Sequence, residues 1–173
     1  MLRENKTSKA KASQARFAIV ASEYNSTYVN AMVRAARAEL KRAGAKEIQV
    51  FRVPGAFEIP VVTARLARLS QRATTDTQHV SKDAIRNMPY AALICLGVIL
   101  RGETVHAAHI GEAVSRALME IQLRYEIPVI HEVLLLENEQ QARARCLSKK
   151  HNRGAEAAQT ALAMSDLMSK LRE

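Results

Sequence analysis

The stretch LGVILRGETVHAAHIGEAV, residues 96–114, holds the turn on which the fold is decided. Its first five residues are apolar and stop at Arg101-Gly102, the pattern of a buried strand that ends in a turn. From His106 onward the period changes: Ile110, Val114, Leu118, Ile121 and Tyr125 fall on one helical face. A buried strand feeding a helix through a charged turn is half of a parallel strand–helix–strand unit. A purely structural connection does not require a histidine at the mouth of that helix. The turn is therefore also the first place to look for chemistry.

Working outward, the same alternation recurs. RFAIVAS (16–22) reads as a strand, followed by a helix with Val29, Val33, Ala36 and Leu40 on one face and Gly44 placed to stop it. EIQVFRV (47–53) is a second strand; Pro54-Gly55 breaks it, and AFEIPVVTARLARLS returns to helix, with Pro60 tolerated in the first turn. YAALICLGVIL (90–100) and IPVIHEVLLL (127–136) are the third and fourth strands. Two helices close the chain, one around 138–150 and one from Asn152 with an apolar stripe of Ala157, Ala161, Met164, Met168 and Leu171. The pattern predicts an α/β fold, a three-layer sandwich of one four-stranded parallel sheet with helices on both faces.

The chain has 173 residues, 48% of them apolar and 25% charged, enough for one compact domain with a real core. Residues 1–14 are polar and basic and read as a disordered arm, which leaves 15–173 as a single domain. Residues 70–89 show no clear period and are read as an insertion. No apolar run approaches the ~20 residues of a membrane span, and the polar N-terminus lacks the apolar core of a signal peptide. Cys95 and Cys146 do not make a disulfide framework, so a reducing, cytoplasmic setting is expected.

The net charge is +9, of which residues 1–16 carry +4 and residues 142–154 carry +5, so the rest of the chain is neutral. Basic segments can bind nucleic acid, but 4% aromatics and no tryptophan leave few platforms for stacking bases. A solvated arm plus one anion site is the preferred reading.

In such sheets ligands collect at the carboxyl ends of the strands. Three strand ends here carry unusual chemistry: SEYN, VPGAFE and LRGETVH. Tyr24 can cover a planar ring, and Asn25 is a candidate helix cap. Pro54-Gly55 turns the chain sharply, which frees the Ala56 and Phe57 N–H groups for ligand oxygens, and the Glu58 carboxylate can accept from hydroxyls. Gly102 lets backbone approach a ligand, Thr104 is a candidate N-cap, and a helix N-terminus attracts phosphate. His106 is the side chain suited to moving protons near neutral pH. Each motif alone is compatible with plain packing, and His109 more so. Together they describe a pocket for a planar ring, a polyol and a phosphate. His106 and His109 lack a third ligand at a supporting spacing, so no metal is expected.

VPGAFEIP, GVILRGETVH and QARARCLSKKHNRGAEAA together resemble the lumazine synthase family, over residues 16–172. The resemblance implies a flavodoxin-like fold and the penultimate step of riboflavin synthesis. In that step 5-amino-6-ribitylaminouracil condenses with 3,4-dihydroxy-2-butanone 4-phosphate to give 6,7-dimethyl-8-ribityllumazine, with no metal or organic cofactor. By this resemblance Tyr24 matches the ring-stacking aromatic, with Asn25 beside it. Ala56, Phe57 and Glu58 match the segment that holds the ribityl chain, and Ile99 and Leu100 meet the uracil edge. Gly102, Glu103 and Thr104 match the phosphate turn, and His106 matches the catalytic histidine. Arg145 matches the phosphate clamp, with Lys149 near it and Arg153 where the family usually has lysine, and Glu156 matches the acid that orients the histidine. These last groups come from a neighbouring subunit in the family, so a pentameric homo-oligomer, or a shell of twelve pentamers, is implied. Riboflavin synthase is a further partner of that family.

The chain departs from the family pattern in three places. Ala107-Ala108-His109 stands where an aromatic-acid-aromatic run is usual, Leu135-Leu136 replaces a Thr-Thr pair, and His131-Glu132 replaces a Phe-Gly pair. His131 at the pyrimidine position can stack or hydrogen-bond. The alternative expectation is a divergent, weakly active or inactive relative that binds a flavin- or pterin-like ligand or serves as a shell.

Overall fold

The computed structural model describes residues 15–75, 89–148 and 150–171. The basic arm, most of the segment read as an insertion, and Lys149 lie outside the described residues. Four parallel strands, β1 (Arg16–Ser22), β2 (Glu47–Val53), β3 (Ala92–Leu100) and β4 (Val129–Leu136), form one sheet in the order β2-β1-β3-β4. Helices α1 (Ser26–Arg42), α2 (Ile59–Thr75), α3 (His106–Tyr125), α4 (Glu139–Ala142) and α5 (Arg153–Lys170) fill the connections. This is the expected three-layer α/β sandwich, flavodoxin-like in strand order.

The strand sequences explain their positions. β1 and β3 are almost wholly apolar and are buried on both faces, as central strands must be. β2 and β4 carry polar residues and are only partly covered, as edges are. Side chains alternate between two cores. Phe17, Ile19, Ile94 and Leu96 meet α1 and α5 on one face, while Ala18, Val20, Leu93 and Cys95 meet α2 and α3 on the other. At the amino end of β1, Arg16 is buried against Glu47 of β2 at 2.6 Å and stacks 4.8 Å from the Tyr90 ring centroid. Cys95 and Cys146 are both free and buried.

Several local expectations need correction. Residues 70–75 continue α2 rather than starting a loop, and Ser70 Oγ accepts from Tyr90 N at 3.1 Å, which ties the two flanks of the 76–88 segment together. The third strand begins at Ala92, because Tyr90 is used to cover Arg16. The helix expected around 138–150 is a four-residue α4 followed by a wide π-type turn, Arg143–Leu147. The Cys146 carbonyl at that turn accepts from Asn152 Nδ2, and Asn152 then caps α5 through Gly154 N at 2.9 Å. The α5 stripe buries Ala157 and Ala161, but Leu171 at its end is exposed. α1 buries Val29, Val33, Ala36 and Leu40 as read, and Gly44 turns the chain away at φ 85°.

The first turn of α5 sits directly on α1. A Cβ at Gly154 would overlap the backbone of Met32, so only glycine allows this approach. Gly154→Ala is therefore expected to lower stability by about 1–3 kcal/mol, the usual cost of overpacking a rigid contact. The denaturant midpoint checks this; an unchanged midpoint would show that the two helices do not meet here.

Candidate active site

Strand order fixes where a cavity can open. The chain leaving β1 turns to α1 on one face, while those leaving its neighbours β2 and β3 turn to α2 and α3 on the other, so a crevice opens at the carboxyl end of β1. Hydrogen bonds then close the three strand ends into one wall. Glu23 N donates to Val53 O at 2.8 Å and Tyr24 N to Pro54 O at 3.2 Å, joining the turn after β1 to the turn after β2. Asn25 adopts a left-handed backbone, φ 56°, and its Nδ2 donates to Val98 O of β3 at 2.8 Å. Asn25 thus stands at the cap position of α1 without capping it through its side chain. A short amide side chain in the left-handed region is available to bond elsewhere, and here it bonds across the crevice.

The turn after β2 is shaped by packing. Gly55 has an ordinary extended backbone, φ −130°, so its conformation does not require glycine. Space does: a Cβ would lie 2.8 Å from Glu58 Oε2 and 3.3 Å from the Tyr24 ring. Gly55 N donates to Glu58 Oε2 at 2.9 Å, which leaves the carboxylate's other oxygen for a ligand. In the 3-10 turn Ala56–Glu58, the leading N–H groups have no acceptor within the turn. Tyr24 and Phe57, 73% and 61% exposed, hold two aromatic faces out of the core.

The turn after β3 supplies the third wall. Gly102 faces open space: a Cβ placed there would meet no atom within 4 Å. Val105 occupies the cap position of α3, and Thr104 Oγ1 accepts from His106 N at a long 3.4 Å, so Thr104 is a weaker cap than the sequence implied. His106 opens α3 and is exposed to the cavity.

One cavity of about 1070 Å³ collects Tyr24, Asn25, Ala56, Phe57, Glu58, Ile99, Leu100, Gly102, Thr104 and His106. It continues along α3 past His109, Ala113, Arg116 and Glu120, residues that sequence reasoning left out or assigned to packing. Their spacing from His106 is helical, and the small Ala113 and Ala117 keep that face open, a signal that was present in the sequence. Among the described residues no cluster of three His, Cys, Asp or Glu side chains could hold a metal ion.

The remaining predicted residues do not line this cavity. Glu103 is exposed in the turn before α3. His131 is on β4, Arg145 in the π-type turn, and Arg153 and Glu156 in α5, where Arg153 Nη1 and Glu156 Oε2 pair at 2.7 Å. Within one chain Glu156 is therefore engaged by Arg153. Ser115 Oγ donates to Gly111 O at 2.7 Å, so at 2.8 Å it accepts from His131 Nε2–H, while His131 Nδ1 accepts from Val133 N at 3.4 Å. Both ring nitrogens are occupied, and desolvation of the ring pushes the His131 pKa down. Glu132, next along β4, faces the opposite side of the sheet. Burial pushes its pKa up to about 7, with Arg153 and Arg145 pulling it down and Glu156 pushing it up.

Residues 14–169 match the family described as 6,7-dimethyl-8-ribityllumazine synthase. A 6,7-dimethyl-8-ribityllumazine synthase of Stenotrophomonas maltophilia strain R551-3 is 36% identical over 159 residues, 91% of each chain. One from Xanthomonas oryzae pv. oryzae strain PXO99A is also 36% identical, covering 91% of this chain and 92% of its own.

The raised carboxyl of Glu132 has a consequence for stability. An ordinary carboxyl releases its proton near pH ~4.3 in the unfolded chain, whereas folded Glu132 keeps it to about 7. Its favourable contribution is thus complete below the unfolded pKa and is lost as pH rises through about 7. Glu132→Gln should raise Tm at pH 8 by roughly 2–4 °C, the shift for about 1 kcal/mol in a chain of this size. At pH 4 the same comparison should show little change; equal shifts at both pH values would contradict a buried ionising carboxylate.

Proposed function

The chain belongs to the 6,7-dimethyl-8-ribityllumazine synthase family, a family of transferases in riboflavin biosynthesis, and on that premise we propose that it catalyses the family's condensation. The observation that carries this reading is the single cavity shared by an exposed tyrosine, an exposed phenylalanine, a glutamate at a helix start and His106. Such a cavity suits a flat pyrimidine bearing a polyol.

In this reading Tyr24 and Phe57 cover the pyrimidine ring and its ribityl chain, and the backbone at Ile99 and Leu100 meets the uracil edge. Glu58 and the N–H groups of Ala56 and Phe57 take the ribityl hydroxyls. The 5-amino nitrogen attacks the ketone carbon of the butanone phosphate, and loss of water gives an imine. Elimination then breaks the carbon–oxygen bond to phosphate. The enol left at the carbon that bore the 3-hydroxyl tautomerises to a carbonyl; the ribitylamino nitrogen closes the second ring on that new carbonyl, and a second water leaves. Every step moves a proton, and His106 at the cavity wall is the group suited to give and take it. Holding both substrates in register supplies much of the remaining acceleration.

The phosphate is assigned to the turn Gly102–Thr104 and to the guanidiniums of Arg145 and Arg153, with Lys149 near them. Guanidinium forks match phosphate oxygens better than a point charge does. Arg145, Arg153, Glu156 and His131 lie apart from the cavity within one chain. A second copy must therefore supply them, with Glu156 oriented toward His106 across the boundary. We assign a pentamer as the unit of assembly, a shell of twelve pentamers as its larger form, and the cytoplasm as its location. Among the described residues no helix is long and apolar enough to cross a membrane. The inactive ligand-binding or shell relative is not favoured: His106 stands open to the cavity, and Arg145 and Glu156 are retained.

Incubation with both substrates tests the reaction through the absorbance and fluorescence of the lumazine product. His106→Ala should slow its formation by about 10²–10⁴-fold, less if the substrates' unaided reaction sets the floor. Lumazine formed no faster with the unaltered protein than without it would end the proposal, and an undiminished rate in the variant would end the assignment of His106.

A further inference from the structure

His109 is the side chain that the sequence assigned to packing and that the fold leaves unpacked. It stands exposed on α3 and lines the same cavity as His106. Three residues apart on one helix, the two have Cβ atoms about 5–6 Å from each other. Helical spacing explains the shared face: His106, His109, Ala113, Arg116 and Glu120 recur along the cavity wall. Ala113, one turn beyond His109, is too small to cover its ring. Among the described residues neither imidazole is hydrogen-bonded; the bonds these residues make start from backbone, His109 N to Val105 O at 3.2 Å and His106 N to Thr104 Oγ1 at 3.4 Å. The other titratable groups of the cavity are placed differently. Tyr24 and Glu58 belong to the wall built after β1 and β2, with Glu58 Oε2 bonded to Gly55 N at 2.9 Å. Glu112 Oε1 pairs with Arg116 at 3.3 Å, and Glu120 lies three turns beyond His109, ~16 Å along the helix axis. The α3 wall is left with two unbonded imidazoles, and imidazole is the side chain that exchanges protons near neutral pH.

We propose that His109 is a second catalytic residue, which works with His106 as an acid–base pair in the ring closure that ends the reaction. The inference rests on the reading in which this cavity condenses the two substrates. The two halves of that condensation make different demands. Elimination takes one proton from the carbon bearing the 3-hydroxyl as the carbon–oxygen bond to phosphate breaks. One imidazole next to the turn Gly102–Thr104 meets that demand, and His106 opens the helix just after it. Closure asks for more. The ribitylamino nitrogen bonds to the new carbonyl carbon and gives up its proton, while the carbonyl oxygen takes one and becomes a hydroxyl. The hydroxyl then takes a second proton and leaves as water, and the pyrimidine ring nitrogen gives one up. Two protons thus leave nitrogen and two depart with oxygen, with none gained or lost overall. Because the donors and the acceptor are different atoms, one group must take a proton where another gives one. With one imidazole neutral and the other protonated, the first exchange inverts the pair and the second restores it. Two rings fixed one helical turn apart serve both atoms while the substrate stays in place.

The test follows phosphate and lumazine separately in a single turnover, with the full-length protein in its native assembly and in excess over the ribitylaminouracil. Phosphate leaves before the second ring closes, so the two products report the two halves of the reaction. His109→Ala should release phosphate within about threefold of the unaltered rate and form lumazine about 10²-fold more slowly. His109→Gln keeps the polarity and approximate size of the side chain but exchanges no proton, and it should show the same lag. His106→Ala should slow phosphate release itself, and that contrast marks the division between the two rings. Lumazine formation unchanged in His109→Gln would overturn the role of His109, because the ring would then be idle. An equal slowing of both products would overturn it as well, because the side chain would then only support the cavity. Lumazine formed by the unaltered protein no faster than by the substrates alone would instead end the reading on which the inference rests.

Discussion

Parallel pairing of β1 with both of its neighbours is the constraint from which the site follows. Once β1 lies between β2 and β3, the chain leaving it turns to α1 on one face while its neighbours' chains turn to α2 and α3 on the other, and neither connection fills the opening. The bond from Asn25 Nδ2 to Val98 O spans this opening near its floor. It holds the turn that carries Tyr24 against the strand that delivers His106, and the backbone bonds of Glu23 and Tyr24 to Val53 and Pro54 hold the turn that carries Phe57 and Glu58. Three loops distant in sequence become one surface with little freedom to separate. That rigidity is what a reaction limited by the orientation of two substrates requires.

Much of this was legible in the sequence. β1 and β2 have the expected limits, because short apolar runs bounded by polar and glycine-containing segments admit few other readings. The gathering of strand ends into one cavity followed from parallel topology alone. What sequence could not give was tertiary in origin. Asn25 looks like a cap because its residue type and position suit one, and only the proximity of Val98 diverts its amide. Gly55 looks like a conformational glycine, yet the Tyr24 ring and the Glu58 carboxylate are what exclude a side chain there. The π-type turn at Arg143–Leu147 depends on the bond between Asn152 and the Cys146 carbonyl, which no periodicity announces.

The polar residues of β4 show how one departure acts on two faces. Adjacent strand residues point to opposite sides of a sheet, so His131 meets α3 through Ser115 while Glu132 meets the arginines of α5 and the π-type turn. His131 is bonded at both ring nitrogens, to Ser115 and to the backbone of Val133. Glu132 adds a carboxyl whose pKa burial pushes up to about 7, and neither side chain lines the cavity within one chain.

If His106 and Arg145 serve one active site, they do so from two different copies of the chain, since they stand apart within one copy. Co-assembly of two inactive variants, His106→Ala and Arg145→Ala, tests it directly. Randomly mixed in equal amounts, roughly a quarter of the boundaries between copies will join an intact His106 to an intact Arg145, so about a quarter of the unaltered activity should return. If both residues instead serve the site from the same chain, every site in the mixture stays damaged, and activity no higher than the mean of the two variants would contradict the account.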